Sequence, residues 1–355
     1  MTASLVVQTS FLGDMVLTTP LVARLAESGP VDVLSTPVAA PLLANNPAVR
    51  EVIAYDKRGA DRGVGGFLRM ASLLRARGYG AAYLAQGSMR SGMLTAAARI
   101  PERVGFTTSA GRAFYTRRVP ATDSLHHAAR LLSLALGADE RARVGELAGS
   151  AARTTPPRGG PATELRPRLY PGPPERVAVD EMLGTHAMGE PLIAFAPGSV
   201  WATKRWPHFA PLAYELRHAG QIVVVGSVAD RPLAETIIAA TKGQAIDTTG
   251  RLSLLASAEL IGRAALIVTN DSAPLHLASA MNTPTIAVFG PTVPAFGFGP
   301  LADRSSVVGH TLLACRPCDR HGPQRCPLGH WRCMREIEAQ DVAAIALERL
   351  SSRMS

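Results

Sequence analysis

IVTNDSAPLHLASAMNTPTIAVFGPTVPAFGFGP, Ile267 to Pro300, is the stretch that decides the fold. It opens as an apolar β-branched run, breaks at Asn270-Asp271-Ser272, and continues as a small-residue helix through His276-Leu277-Ala278-Ser279-Ala280. A second apolar run follows from Thr285 to Phe289. Strand, polar turn, short helix and strand form the unit that builds parallel sheets. The polar residues fall just past the carboxyl end of the first strand, where open α/β sheets place their ligands. The turn also opens a helix N-terminus, whose free N–H groups suit an anion such as a diphosphate. The stretch therefore predicts a site for a phosphorylated small molecule.

The same grammar recurs upstream. Pro191 to Phe195 reads as a strand, followed by Ala196-Pro197-Gly198-Ser199-Val200-Trp201-Ala202-Thr203-Lys204-Arg205-Trp206-Pro207. A helical pattern from His208 to His218 and a strand from Gln221 to Val225 come next. Gly198 permits a sharp turn, and Ser199 can offer a hydroxyl and an N–H to phosphate oxygens. Lys204 and Arg205 add positive charge, and Pro207 fits a first helical position. At the amino terminus, Ser4 to Val7 reads as a strand. It leads through Gln8-Thr9-Ser10-Phe11-Leu12-Gly13-Asp14 into a helical pattern from Val16 to Leu25. One glycine is too few for the dinucleotide fingerprint G-x-G-x-x-G. Locally, Asp14 and Asp271 each read either as site carboxylates or as helix caps. His276 reads as a site group or a satisfied helical polar residue, and Lys204 and Arg205 as phosphate contacts or a solvated pair.

The length, 355 residues, exceeds what one core fills, so two domains are expected. The richest Pro/Gly stretch, Thr154 to Pro174, reads as the linker. The expected division is residues 1–170 for the first domain, 171–189 for linker and a short helix at Glu175 to Leu183, and 190–334 for the second domain. Residues 335–355 complete the chain as a closing helix, amphipathic from Glu336 to Leu350. No apolar run approaches the roughly 18–20 residues that span a bilayer. The first 20 residues lack the basic start and apolar core of a signal peptide, so a cytoplasmic location is expected.

A net charge of +9 favours an anionic partner, whether nucleic acid, phosphorylated glycolipid or anionic membrane surface. Nucleic acid is the weaker reading, because aromatics make up only 5% of the chain and no basic stripe with interleaved aromatics occurs. Arg90, Arg99, Arg103, Arg112, Arg117 and Arg118 read either as contacts to phosphates on a large acceptor or as a soluble basic surface. The four cysteines cluster as Cys315-x2-Cys318-x7-Cys326-x6-Cys333. Disulfides do not persist in the cytosol. The readings left are a structural zinc or iron–sulfur ligand set, which the spacing does not favour, and four ordinary thiols.

Taken together, these turns resemble glycosyltransferase family 9, the heptosyltransferases of lipopolysaccharide core synthesis. The resemblance rests on Leu12-Gly13-Asp14 with Thr19-Pro20, and on Ala196-Pro197-Gly198 with Lys204-Arg205-Trp206-Pro207. It rests also on Thr269-Asn270-Asp271-Ser272 with His276-Leu277-Ala278, on Phe289-Gly290-Pro291-Thr292 and on Cys326-Pro327-Leu328-Gly329-His330. It spans residue 5 to about 345, and the Lys-Arg-Trp-Pro form is most similar to the heptosyltransferase II branch.

That resemblance implies an α/β fold of the GT-B type, two Rossmann-like domains facing across a cleft. The first would take the acceptor and the second the nucleotide-sugar donor. It implies inverting, metal-independent transfer of a heptose or related sugar from an ADP-sugar to a lipopolysaccharide core or similar phosphorylated glycan. No cofactor would be required, and contact with the inner membrane surface would be peripheral. Asp14 matches the family's general base and Lys204 its phosphate-contacting lysine. Asp271 and His276 match its donor pair, Ser199, Ser272 and Ala273 its diphosphate contacts, and Leu252 a residue near the adenine. Ala273-Pro274 departs from the usual glycine-containing pair, and Pro274 has no N–H to give. No Asp-x-Asp metal-binding pair occurs, in keeping with metal-independent transfer. Two alternatives share the scaffold: a nucleotide-sugar epimerase, which leaves the basic first half unexplained, and a non-catalytic nucleotide-sugar or glycan-binding protein.

Overall fold

The computed structural model describes residues 2–142, 165–184 and 189–351. Residues 2–142 with 165–170 make one compact unit, and 171–184 with 189–351 make a second. Residues 154–164 of the proline-rich stretch lie outside the described residues; Leu165 to Tyr170 pack with the first unit.

The first unit runs β1 (Ser4–Gln8), α1 (Leu12–Ala26), β2 (Val31–Ser35), β3 (Glu51–Ala54), α2 (Gly63–Ala76) and β4 (Ala81–Leu84). It continues through α3 (Met89–Ala97), β5 (Glu102–Phe106), β6 (Arg117–Val119) and α4 (His127–Leu132). All neighbouring strands pair in parallel, in the order β3-β2-β1-β4-β5-β6. The second unit opens with α5 (Pro173–Leu183), β7 (Leu192–Ala196), α6 (Phe209–Leu216), β8 (Gln221–Val224), α7 (Arg231–Ala240) and β9 (Ile246–Asp247). Then come α8 (Leu254–Arg263), β10 (Leu266–Asn270), α9 (Ala273–Met281), β11 (Thr285–Val288), β12 (Ser305–Val308), α10 (Arg332–Arg335) and α11 (Ala339–Ser351). Its order is β12-β11-β10-β7-β8-β9, again parallel.

Counted from its own first strand, each sheet reads 3-2-1-4-5-6, the doubly wound order. In the second sheet the central strands β7 and β10 are buried along their whole length, because helices cover both faces. That is why they read as unbroken apolar runs. Phe195, Phe209, Leu212, Val268, Ile286 and Val342 fill the core of the second unit, and Leu5, Val7, Leu34, Leu74 and Leu84 that of the first. Each sheet reverses winding once, between β1 and β4 and between β7 and β10. Crevices at such switch points are where this architecture holds ligands.

Several boundaries differ from the sequence reading: α1 begins at Leu12 rather than Val16, which takes Asp14 into its first turn, and α9 begins at Ala273 rather than His276. The helical pattern read from His208 to His218, with Pro207 at a first position, is observed as Phe209–Leu216. The residues before it are committed to docking: the Trp206 N–H donates to Asn270 Oδ1 at 3.1 Å and its Nε1 to the Ile337 carbonyl at 2.9 Å. The closing helix expected from Glu336 begins only at Ala339, as α11, and a separate short helix, α10, ends just before Glu336. Glu336 is drawn off by Arg332 and by His310, whose Nε2 lies 2.9 Å away, and the Ile337 carbonyl serves Trp206. α11 packs on α6 and so belongs to the second unit.

Asp32, buried in β2, carries a pH-dependent share of stability. Arg50 donates to both its oxygens at 2.8 and 2.7 Å, and the Tyr79 hydroxyl donates at 2.6 Å. Burial alone would raise this carboxyl, but the Arg50 and Tyr79 hydrogen bonds outweigh it and hold Asp32 below the ordinary range. The unfolded chain therefore takes up the proton at higher pH than the folded one. The stabilisation is complete above the usual aspartate value of about 4 and is lost as pH falls through the depressed folded value. Melting measured down an acid series should fall more steeply for the wild type than for Asp32→Asn; parallel curves would contradict this.

Candidate active site

In the second unit the two switch-point strands end in the segments singled out from sequence. Past β7, Ala196-Pro197-Gly198-Ser199 turns into a short 3-10 turn, Ala202–Lys204. Past β10, Asn270-Asp271-Ser272 leads into α9, with Ser272 as its N-cap. Asn270 joins the two, since its Nδ2 donates to the Pro197 carbonyl at 2.8 Å while its Oδ1 takes the Trp206 N–H. Lys204 and Asp271 then meet. Lys204 Nζ donates to Asp271 Oδ2 at 2.6 Å, and the Thr292 hydroxyl donates to the same oxygen at 2.6 Å. Lys204 is 8% exposed and Asp271 7%, so this is a buried ion pair rather than a surface contact.

Ser199 is partly used inside its own turn. Its Oγ accepts from the Trp201 N–H at 3.3 Å and its carbonyl from Arg205 Nε at 2.8 Å, which makes Arg205 a brace of the loop. Gly198 lies against the Asp230 carboxylate, where a Cβ would come within 2.3 Å of an oxygen. At the start of α9, Ala273 precedes Pro274, and the Leu275 N–H turns back to the Ser272 carbonyl at 3.1 Å. The donors of this helix start are thus fewer than in an ordinary first turn. His276 is 5% exposed, its ring edge-on to Phe298. Leu252 is half-buried in the turn past edge strand β9, two strands across from β7, and not in the Lys204–Asp271 cluster.

The cysteine segment, distant in sequence, is adjacent in space. The Cys318 N–H donates to the Pro291 carbonyl at 2.9 Å. Gln324 clasps the Lys204 turn, accepting from the Ala202 N–H at 3.1 Å and donating to the Val200 carbonyl at 3.0 Å. Thr203 Oγ1 donates to the Pro323 carbonyl, and the His321 ring stacks on Trp201 at 6.2 Å. Gly322, with φ +87, approaches the Lys204 stem so closely that a Cβ would lie 3.2 Å from Cε. Arg316 donates to the Phe289 and Thr292 carbonyls, both at 3.0 Å, and to those of Gly290 and His310. This segment therefore sets the position of both Lys204 and Thr292.

All four cysteines are free thiols. Burial pushes Cys333 up to about 11 and raises Cys318 as well. At Cys326 burial also acts upward, but backbone N–H groups from Trp331, Leu328, His330 and Gly329 outweigh it and pull the thiol below its ordinary value. Among the described residues, no group of three or more His, Cys, Asp or Glu is arranged to hold a metal ion.

In the first unit, Asp14 stands in the first turn of α1, past the carboxyl end of β1. Phe11 occupies the N-cap and Asp14 does not cap the helix. Its Oδ2 lies 2.6 Å from the Ser10 hydroxyl, which lies equally close to Gln8 Oε1 and has one proton to share between them. His127 Nε2 is 3.6 Å from Oδ1. Sequence reasoning gave no role to Thr292, Asn270, Gln324, Arg316, Ser10 or His127. Thr292, Asn270 and Ser10 stood inside the quoted stretches; the others carried no signal of their own.

Residues 67–328 match the family profile described as glycosyltransferase family 9 (heptosyltransferase). The lipopolysaccharide heptosyltransferase 2 of Escherichia coli K12 is 30% identical over 315 residues, 86% of this chain and 87% of that protein. The lipooligosaccharide heptosyltransferase 2 of Haemophilus influenzae is 27% identical over 99% of both chains. Among solved structures, the E. coli ADP-heptose lipopolysaccharide heptosyltransferase II superposes with a TM-score of 0.80 at 25% identity, over 99% of this chain and 100% of that one.

Proposed function

The chain belongs to glycosyltransferase family 9, the heptosyltransferases, and on that premise we propose that it transfers heptose from ADP-heptose to a phosphorylated sugar of a lipopolysaccharide core, with inversion and without a metal. The fold is of the GT-B type, with two Rossmann-like units. The observation that carries the finer reading is the buried Lys204–Asp271–Thr292 cluster at the switch point of the second sheet. A buried cation held between two phosphate-binding turns is placed to exchange its carboxylate partner for an incoming diphosphate.

In the proposed reaction an acceptor hydroxyl attacks C1 of the heptose from the face opposite the diphosphate. The hydroxyl proton passes to the Asp14 carboxylate as the new C–O bond forms. The C1–O bond to the diphosphate breaks, and ADP departs with the electron pair while C1 carries oxocarbenium character. Lys204 and the α9 N-terminus offset the charge gathering on the leaving group. Ser199, Ser272 and Ala273 line the two turns that would hold the diphosphate, and His276 and Leu252 complete the proposed donor contacts. ADP release should be insensitive to EDTA and to added Mg²⁺, and NMR of the product should show the anomeric configuration opposite to that of the donor. A strict metal requirement, or retention, would overturn the mechanism.

Peripheral contact with an anionic membrane is supported by the first unit. Val64 and Leu68 stand one turn apart on α2, 73% and 58% exposed, and Met89 and Met93 one turn apart on the adjoining α3. Arg90 ties the two helix starts through the Gly63 carbonyl, and Arg58 and Arg62 are exposed beside them. Apolar side chains flanked by arginines match a bilayer with anionic headgroups. Among the described residues no helix is long and apolar enough to cross a membrane. Vesicles containing phosphatidylglycerol should sediment the protein in low salt and pure phosphatidylcholine should not. The Val64→Ser/Leu68→Ser variant should bind more weakly; undiminished binding would contradict the assignment.

A further inference from the structure

Asp14 is addressed from two sides. Ser10, four residues earlier in the chain, lies 2.6 Å from Oδ2 with its proton shared with Gln8; a residue more than a hundred positions later faces Oδ1. His127 is the first residue of α4, and α4 lies along α1. Its backbone is fixed on both sides. His126 caps the helix, its Nδ1 accepting from the Ala128 N–H at 3.2 Å. Behind it Ala129 and Leu132 pack into a small apolar cluster with Leu125, Leu136 and Leu165. From this base the His127 ring reaches Asp14 with Nε2 3.6 Å from Oδ1, and both side chains are only 19% exposed.

We infer that His127 is a positioning residue for the general base. A lone carboxylate in the first turn of a helix rotates about χ1 and χ2, and only some of those orientations aim an oxygen at an incoming hydroxyl. A donor facing each oxygen narrows that freedom, and because the Ser10 proton is shared with Gln8, the His127 N–H is the one directed at Asp14 alone. With its proton on Nε2 the imidazole donates to Oδ1 in either its neutral or its charged form, so the role needs no change of protonation. The 3.6 Å separation is longer than a formed hydrogen bond. Contacts of this kind commonly tighten when substrate seats, and an oriented base loses rate steeply when its geometry is relaxed. His127 touches no reacting atom; it acts through Asp14.

This inference rests on Asp14 being the base, and the test keeps the two claims apart. Kinetics are measured on the full chain with ADP-heptose and a heptose-deficient core acceptor. His127→Ala should lower kcat by ~10–100-fold with KM for donor and acceptor little changed, because binding groups are untouched. His127→Gln, which retains an N–H donor at similar reach, should recover most of that loss. In an Asp14→Asn background, His127→Ala should cost less than ~2-fold more, since two residues acting as one unit are not additive. If alanine unfolds the chain, as melting would reveal, His127→Asn keeps the test: a donor set too short should cut kcat at a normal melting temperature. Full kcat in a folded His127→Ala or His127→Asn protein, or losses that multiply in the double variant, would overturn the inference and leave the base standing. A fully active Asp14→Asn protein would instead remove the base assignment itself.

Discussion

Asp14→Asn should lower kcat by roughly 10²–10⁴-fold, the range that a positioned general base contributes. The substitution is nearly isosteric, and the amide can still meet Ser10 and His127. What it cannot do is take the proton from the acceptor hydroxyl. Donor affinity should therefore stay close to that of the wild type, because the diphosphate contacts proposed here lie in the second unit. Isothermal titration with ADP, alongside steady-state turnover, separates the two. Near-normal turnover would return Asp14 to a purely structural place in α1.

Lys204→Ala carries the other large effect, and it strikes stability and rate together. In the folded protein Lys204 compensates a carboxylate that is 7% exposed. Removing the cation leaves Asp271 buried with the Thr292 hydroxyl as its remaining charge-stabilising contact, and breaking such a pair costs about 3–5 kcal/mol. Turnover should fall by roughly 10²–10³-fold, as when one donor is removed from a developing oxyanion. The double variant Lys204→Ala/Asp271→Asn distinguishes the two roles. A neutral amide needs no cation, so melting should recover, while turnover should not, because the diphosphate still lacks its lysine. Recovery of both would mean that Lys204 serves only the fold.

The parts of this architecture that rest on local pattern were legible in the sequence. The runs at Ile267, Pro191 and Ser4 are strands, and their polar turns lie past carboxyl ends, because parallel strands covered on both faces are predominantly apolar and turns break that pattern. That both sheets share one winding order was not legible. Strand order depends on pairings between segments far apart in the chain, and no local signal records them. Element edges failed where tertiary contacts claimed the backbone, as at Pro207 and Glu336.

The site divides the same way. Lys204 and Asp271 stood out as charged residues in two similar turns, but their pairing follows only once β7 and β10 are neighbours. The cysteine segment lies more than a hundred residues along the chain from Lys204, yet it grips the Lys204 turn through Gln324, Gly322 and His321. Such a clasp is built from single residues on an irregular loop, which leave no periodic trace. His127 was hidden for a different reason. It sits beside another histidine at the start of a short helix, and nothing in Leu125-His126-His127-Ala128 tells the capping ring from the one that faces Asp14.

The proposed activity moves one heptose from ADP-heptose to a core acceptor. Mass spectrometry of a heptose-deficient lipopolysaccharide core, incubated with the purified protein and ADP-heptose, tests it most directly. The acceptor should gain the mass of one heptose, with ADP released in equal amount, and neither change should occur with Asp14→Asn over the same period. Release of ADP with no gain of mass by the acceptor, or conversion of the donor to an isomer of unchanged mass, would contradict it.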